Sequence, residues 1–207
     1  VQYAVEHAEM APVDKVIRLA DVEDVNIYEL PKLKTGIWEL DCTLYGGIPF
    51  GMVCIIAGKR GDGKSTLASW IMANAVEQGY ATFVYSGELP NYQYKSWFDY
   101  QIAGRTHIIE NQSASGINRF ISNRNRELIR EWYKEKAYIY DSRIVDYDEK
   151  EDLLKSVERA VMQYGIKVVL IDNLMTAMYL DEKSGTDKYD HQGRFVRELT
   201  KIALRYD

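Results

Sequence analysis

The chain has 207 residues, enough for one α/β domain with a full core. Lys and Arg number 26 against 31 acids, and the net charge of −5 excludes a protein that coats nucleic acid over its whole surface, though not one with a local basic groove. No apolar run approaches the length of a membrane span and no signal peptide is expected, so no membrane partner is expected. Cys42 and Cys54 lie far apart without metal-type spacing, which fits a reduced, cytoplasmic setting with Cys54 as a small core residue.

Residues 1–34 are mixed and acidic, punctuated by Pro12 and Pro31, and are expected to form an arm or linker with one or two helical turns over 13–20. Residues 35–207 are expected to form the folded domain. A short helix follows the turn at Thr35-Gly36, and the turn over 46–51 launches an apolar strand over 52–57. A helix over 64–76 ends near Gln78-Gly79-Tyr80, and a buried-type strand spans 81–86. An aromatic-rich helix over 91–103 stops at Gly104, and residues 105–118 read as a polar loop. A helix over 120–136, with Glu131 and Lys134 at supporting spacing, precedes a strand over 137–141. A helix over 149–164 is capped by Gly165, and the strand over 167–172 is so apolar that burial on both faces is expected. A loop over 181–189 and a helix over 191–206 complete the chain. Strands alternating with helices predict an α/β fold: a mostly parallel sheet with helices on both faces, whose ligands bind at the carboxyl ends of the strands.

The chemistry concentrates after the strand over 52–57. Gly58-Lys59-Arg60-Gly61-Asp62-Gly63-Lys64-Ser65, followed by Thr66, fits the phosphate-binding loop of nucleotide triphosphatases. Glycines at 58, 61 and 63 let consecutive N–H groups turn inward, and the helix start adds free N–H groups and a positive dipole end. Lys64 is placed to reach the β- and γ-phosphates of ATP and Ser65 to hold Mg²⁺. Asp172, ending an aliphatic run, is the natural carboxylate on the Mg²⁺ side. The next residue is Asn173, a very poor base, so the residue that activates water must come from elsewhere. Glu88, directly after the neighbouring strand and freed by Gly87, is the candidate; Asp62, Asp181 and Glu182 are weaker ones. Asp62 is expected to face solvent. The basic residues Arg194, Arg197, Lys201 and Arg205 flank an apolar stripe of Phe195, Leu199, Ile202 and Tyr206. They could face DNA phosphates, but a solvated face is the plainer reading, as it is for Arg119, Arg124, Arg126 and Arg130. Tyr92, Tyr94, Trp97, Phe98 and Tyr100 could stack bases, but packing is the plainer role.

Thr35-Gly36 through Leu40-Asp41, Gly46-Gly47, the phosphate loop, Tyr85-Ser86-Gly87-Glu88-Leu89-Pro90 and Leu170-Ile171-Asp172-Asn173-Leu174 stand in the order and spacing of the DnaB-type replicative helicases. The chain resembles that family over about residues 35–207, and its Asp-Asn-Leu ending looks most like the phage primase-helicase and Twinkle branch. The resemblance implies a RecA-like ATPase core, an ATP-dependent motor that translocates on single-stranded DNA and unwinds duplex. It further implies self-association in a hexameric ring, with a primase or helicase loader as possible partners. It gives Lys64 and Ser65 to nucleotide and Mg²⁺, Glu88 to water activation and Asp172 to Mg²⁺. The family's γ-phosphate sensor, DNA-contacting loops and arginine finger find no match here, so an incomplete core with weak turnover is expected. Two alternatives stand beside it: a RecA/RadA-like recombination or repair ATPase, and a nucleotide-gated DNA-binding assembly or loader protein.

Overall fold

A computed structural model describes residues 16–26, 28–114, 116–141, 153–180 and 188–206. Contacts divide the chain into two units, Val1–Leu30 and Pro31–Asp207. In the first, a 3₁₀ turn at Leu19–Asp21 is closed by an exposed Arg18–Asp21 ion pair of 2.7 Å.

The second unit runs β1 (Lys32–Leu33), α1 (Trp38–Thr43), β2 (Ile48–Pro49), α2 (Lys64–Glu77), β3 (Ala81–Ser86), α3 (Asn91–Ala103), β4 (Ile108–Ser113), β5 (Gly116–Ile121), α4 (Asn123–Tyr133), β6 (Ala137–Ile139), α5 (Leu153–Tyr164), β7 (Ile166–Asp172), α6 (Leu174–Leu180) and α7 (Lys188–Arg205). The expected α/β architecture is present: β6, β3 and β7 form a parallel sheet in that order.

The two-residue period of β3 sorts the core into two layers. Phe83 and Tyr85, with Val169 and Ile171 of β7, face Leu153, Val157, Met178 and Phe195 of α5, α6 and α7. Val84, with Val168 and Leu170, faces Met72, Ala73 and Val76 of α2 and Tyr94 and Phe98 of α3. A second side of α2, Ile71 and Ala75, packs on Leu33, Ile48 and Phe50 of the small β1–β2 ribbon. Gln78 fastens that ribbon by reading the backbone of Lys34 at both its N–H (3.0 Å) and its carbonyl (2.9 Å).

Four expectations fail. Residues 52–57 belong to no strand; Met52 is 66% and Ile55 70% exposed, and Cys54 is exposed rather than a core residue. An apolar run specifies a strand only if a neighbour pairs with it, and among the described residues none does. For the same reason β7 is not buried on both faces: it is an edge strand there, with Lys167 exposed and Val168 to Asp172 half-buried. The stretch expected to loop over 105–118 is instead an antiparallel hairpin, β4–β5, from Ile108↔Ile121 to Ser113↔Gly116. Its residues are mostly exposed, so the polar composition that suggested a loop is that of a ribbon wet on both faces. Finally, the helix expected over 120–136 is shorter, because Ser122 caps α4 by accepting from the Asn125 N–H at 3.2 Å.

Helix α3 holds its expected bounds, and α7 runs over 188–205 rather than 191–206. The expected turns over 13–20 lie partly outside the described residues, as do the first residues of the helix expected over 149–164 and most of the loop expected over 181–189. No described helix is long and apolar enough to cross a membrane.

Candidate functional site

Three residues, 78–80, join α2 to β3, and the two elements pack together, so α2 runs back along the strand. At about 1.5 Å per helical residue and 3.3 Å per strand residue, both span roughly 20 Å. The start of α2, where the phosphate loop ends, therefore lies at the carboxyl end of β3. Gly63 precedes α2 at φ 84, in the left-handed region, and no side chain caps the helix. The first turn also carries no acid, so its N–H groups and positive end are available to an anion.

Within the loop, residues 58–63 are exposed, and Lys64 and Ser65 are half-buried. Lys64 Nζ donates to the Lys59 carbonyl at 2.8 Å, so the ammonium lies folded over the loop. Asp62, exposed as expected, nevertheless turns a carboxylate oxygen onto the Lys59 N–H at 2.7 Å. A side chain at position 58 would press on that carboxylate, a reason for glycine there.

The carboxyl ends of β3 and β7 are the second half of the site. Ser86 is in register with Asp172, and the Gly87 N–H donates to the Asp172 carbonyl at 2.6 Å. By strand parity Asp172 shares its face with Val168 and Leu170, the face covered by α2. Glu88, exposed one residue beyond Gly87, accepts from Asn173 Nδ2. Gly87 is required by space: a Cβ there would overlap Thr176 Oγ1. Behind this edge Tyr94 of α3 is only 8% exposed, and its hydroxyl makes no hydrogen bond. Burial pushes this phenol up to about 12, and the charge of Asp172 adds to the rise.

The structure thus brings Glu88, Asp172 and Asn173 together and sets the phosphate loop at the same end of the sheet. Ser65 and Asp172 offer only oxygen donors, which suits Mg²⁺ completed by phosphate oxygens and water. No cluster of three or more His, Cys, Asp or Glu that could cage a metal occurs among the described residues. Asp181 and Glu182 lie outside the described residues.

The flanking candidates divide. Tyr94 and Phe98 are buried, stacked at 6.1 Å between centroids, and unavailable to a base. Tyr92 and Trp97 remain exposed, and Tyr100 donates to the Arg119 carbonyl. Trp97 and Tyr100 line an open hollow with Gln93, Ser96 and Gln101. Gln101 ties the hollow to the first turn of α2 through the Thr66 carbonyl at 3.1 Å. On α7, Lys201 pairs with Glu198 at 2.6 Å and Arg205 with Glu158 at 2.8 Å, while Arg194 and Arg197 are exposed.

Sequence reasoning set Asn173 aside as a poor base and missed both its contact with Glu88 and helix α6. The signal was present: an Asn directly before an apolar run, with Thr176 three residues on, is a helix start.

Known proteins resemble parts of this chain. The DNA repair protein RadA of Salmonella typhimurium is 39% identical over 72 residues, covering 35% of this chain and 15% of that protein. Protein RecA of Chlamydia abortus is 27% identical over 179 residues, 86% of this chain and 41% of RecA. RadA of Escherichia coli is 35% identical over 63 residues, 30% of this chain and 14% of that protein. The chain spans less than half the length of these curated relatives. The family described as ATPase: KaiC matches residues 33–189, from the first strand to the start of the last helix, with the phosphate loop and the ends of β3 and β7 inside. With a RecA-like α/β core and three-quarters of its length within that match, the chain belongs to the KaiC family of ATPases.

Proposed function

We propose that this chain is the nucleotide-hydrolysing part of a DNA repair or recombination ATPase of the RecA/RadA kind. What supports the reading is the uncapped start of α2 after the phosphate loop, at the end of the sheet where Ser86 stands in register with Asp172. The DNA-related activity rests on the names of the relatives, the DNA repair protein RadA above all.

In this reading the N–H groups of the loop from Gly58 to Thr66 cradle the phosphates of ATP, and Lys64 leaves the Lys59 carbonyl to reach the β- and γ-phosphates. Ser65 and Asp172 hold Mg²⁺, whose contribution is to neutralise charge on the phosphate oxygens. Glu88 orients the attacking water and accepts its proton. Chain association and contact with single-stranded DNA belong to the same proposal.

A second reading, a replicative helicase motor of the DnaB type, is favoured by one feature: Glu88-Leu89-Pro90 together with Asp172-Asn173 is spelled as in that family. It would bring a hexameric ring and a primase or loader. ATP-driven strand separation by the intact protein supports it, and strand exchange supports the first reading.

ATP turnover, with and without single-stranded DNA, tests the shared core. We expect Lys64→Ala and Glu88→Gln each to lower turnover by about 100-fold or more, with Mg²⁺-dependent ATP binding lost only in Lys64→Ala. Undiminished turnover in Glu88→Gln would show that another group activates the water.

A further inference from the structure

Asn173 lies at the carboxyl ends of β3 and β7, beside Glu88 and Asp172. Asn173 follows Asp172 directly and bridges two elements. Its Nδ2 donates to Glu88 Oε1. Its Oδ1 accepts from the Thr176 N–H at 3.0 Å and lies 3.3 Å from Thr176 Oγ1, which in turn donates to the Asn173 carbonyl at 3.0 Å.

We propose that Asn173 is a positioning residue for Glu88, an amide clamp that holds the carboxylate at the carboxyl end of β3 and is itself locked by the first turn of α6. The proposal rests on the reading of Glu88 as the group that activates water.

Chemistry fixes which way the amide faces. A backbone N–H can only donate, so the amide atom that meets Thr176 N is the oxygen. An ionised carboxylate can only accept, so the atom that meets Glu88 is the nitrogen. The two contacts agree, and flipping the amide would break both. Below the clamp, the Gly87 N–H to Asp172 carbonyl bond of 2.6 Å ties the two strand ends one residue short of both partners. Glu88 is otherwise an exposed side chain with three rotatable bonds, and an unheld carboxylate samples many positions. A donor on a locked amide selects one of them with a charge-assisted bond. The amide at position 173 gives the base an anchor.

The discriminating substitution is Asn173→Asp. It preserves size and still caps α6, because aspartate accepts from the Thr176 N–H as asparagine does. It removes the donor and sets a negative charge against Glu88. A residue that only caps a helix tolerates this change; a clamp does not.

The full chain is titrated, with Mg²⁺ present, with ADP and with ADP plus tetrafluoroaluminate, a mimic of the transferring phosphoryl group. The wild-type chain is expected to bind the mimic at least about tenfold more tightly than ADP, the scale of one charge-assisted hydrogen bond. Asn173→Asp is expected to lose that preference while its affinity for ADP is unchanged. In a Glu88→Ala background, which itself loses the preference, Asn173→Asp is expected to add nothing, since both act through one contact. If Asn173→Asp keeps the preference while Glu88→Ala loses it, the clamp is wrong and the role of Glu88 stands. If Glu88→Ala keeps it, or the wild type shows none, the role of Glu88 fails and the clamp fails with it.

Discussion

Tyr94 shows how burial and a neighbouring charge act on one group. Its phenol lies under the sheet edge, and burial pushes it up to about 12, with Asp172 adding to the shift. In an unfolded chain it ionises near 10. The folded state therefore holds this proton more tightly. The associated stability is intact below pH 10 and is lost as the pH climbs through about 12. Unfolding free energies measured from pH 9 to 12 should fall more steeply in the wild type than in Tyr94→Phe, by about 2 kcal/mol at the alkaline end. Parallel curves would mean that the phenol titrates normally. Single residues of this kind were only partly legible. Lys64 and Asp172 stand out as candidates because each sits in a recognisable local spelling. That Tyr94 is buried and Tyr92 is not depends on which face of α3 meets the sheet.

At the scale of elements, α3 and α4 are joined by a buried charge. Asp99 of α3 is 4% exposed; it accepts from Lys95 Nζ one turn back and from the Tyr133 hydroxyl of α4 at 2.9 Å. Lys95 also lies over the Tyr133 ring at 5.5 Å. Burial first, and the Asp99 carboxylate second, hold the Tyr133 phenol well above its usual range. Asp99→Ala leaves that hydroxyl unpaired and an ammonium without its partner, at a cost of about 3 kcal/mol. Tyr133→Phe should cost about 1 kcal/mol, and the double variant less than the sum. Denaturant midpoints decide this; strict additivity would mean that the two side chains do not interact. The ends of α3 could be read from Pro90 and Gly104 because they are set by local backbone chemistry. The pairing of β4 with β5 could not, since a hairpin wet on both faces lacks the alternation that marks a strand.

For the molecule as a whole, the layer formed by β3, β7, α5, α6 and α7 converges on Phe195, which is 1% exposed. Phe195→Ala should lower stability by about 3–5 kcal/mol and Tm by roughly 10 °C, measured by calorimetry. A change of a degree or two would mean that α7 contributes little to the core. Conversely, the apolar residues 52–57 stand outside the sheet, so Ile55→Thr should leave Tm within about 1 °C of the wild type, as for an exposed position.

The class of fold and the order of the phosphate loop, Glu88 and Asp172 along the chain are legible without the structure. Both rest on short-range rules: hydrophobic periodicity, glycines where the backbone must turn, and acids directly after apolar runs. Packing of the folded chain sets Ser86 in register with Asp172, brings Asn173 to Glu88, and leaves residues 52–57 without a strand partner among the described residues. The first two join residues more than eighty positions apart, and whether an apolar run finds a strand partner is not written in its local spelling. Hydrogen bonds between strand ends depend on register, and register is set by the packing of whole layers.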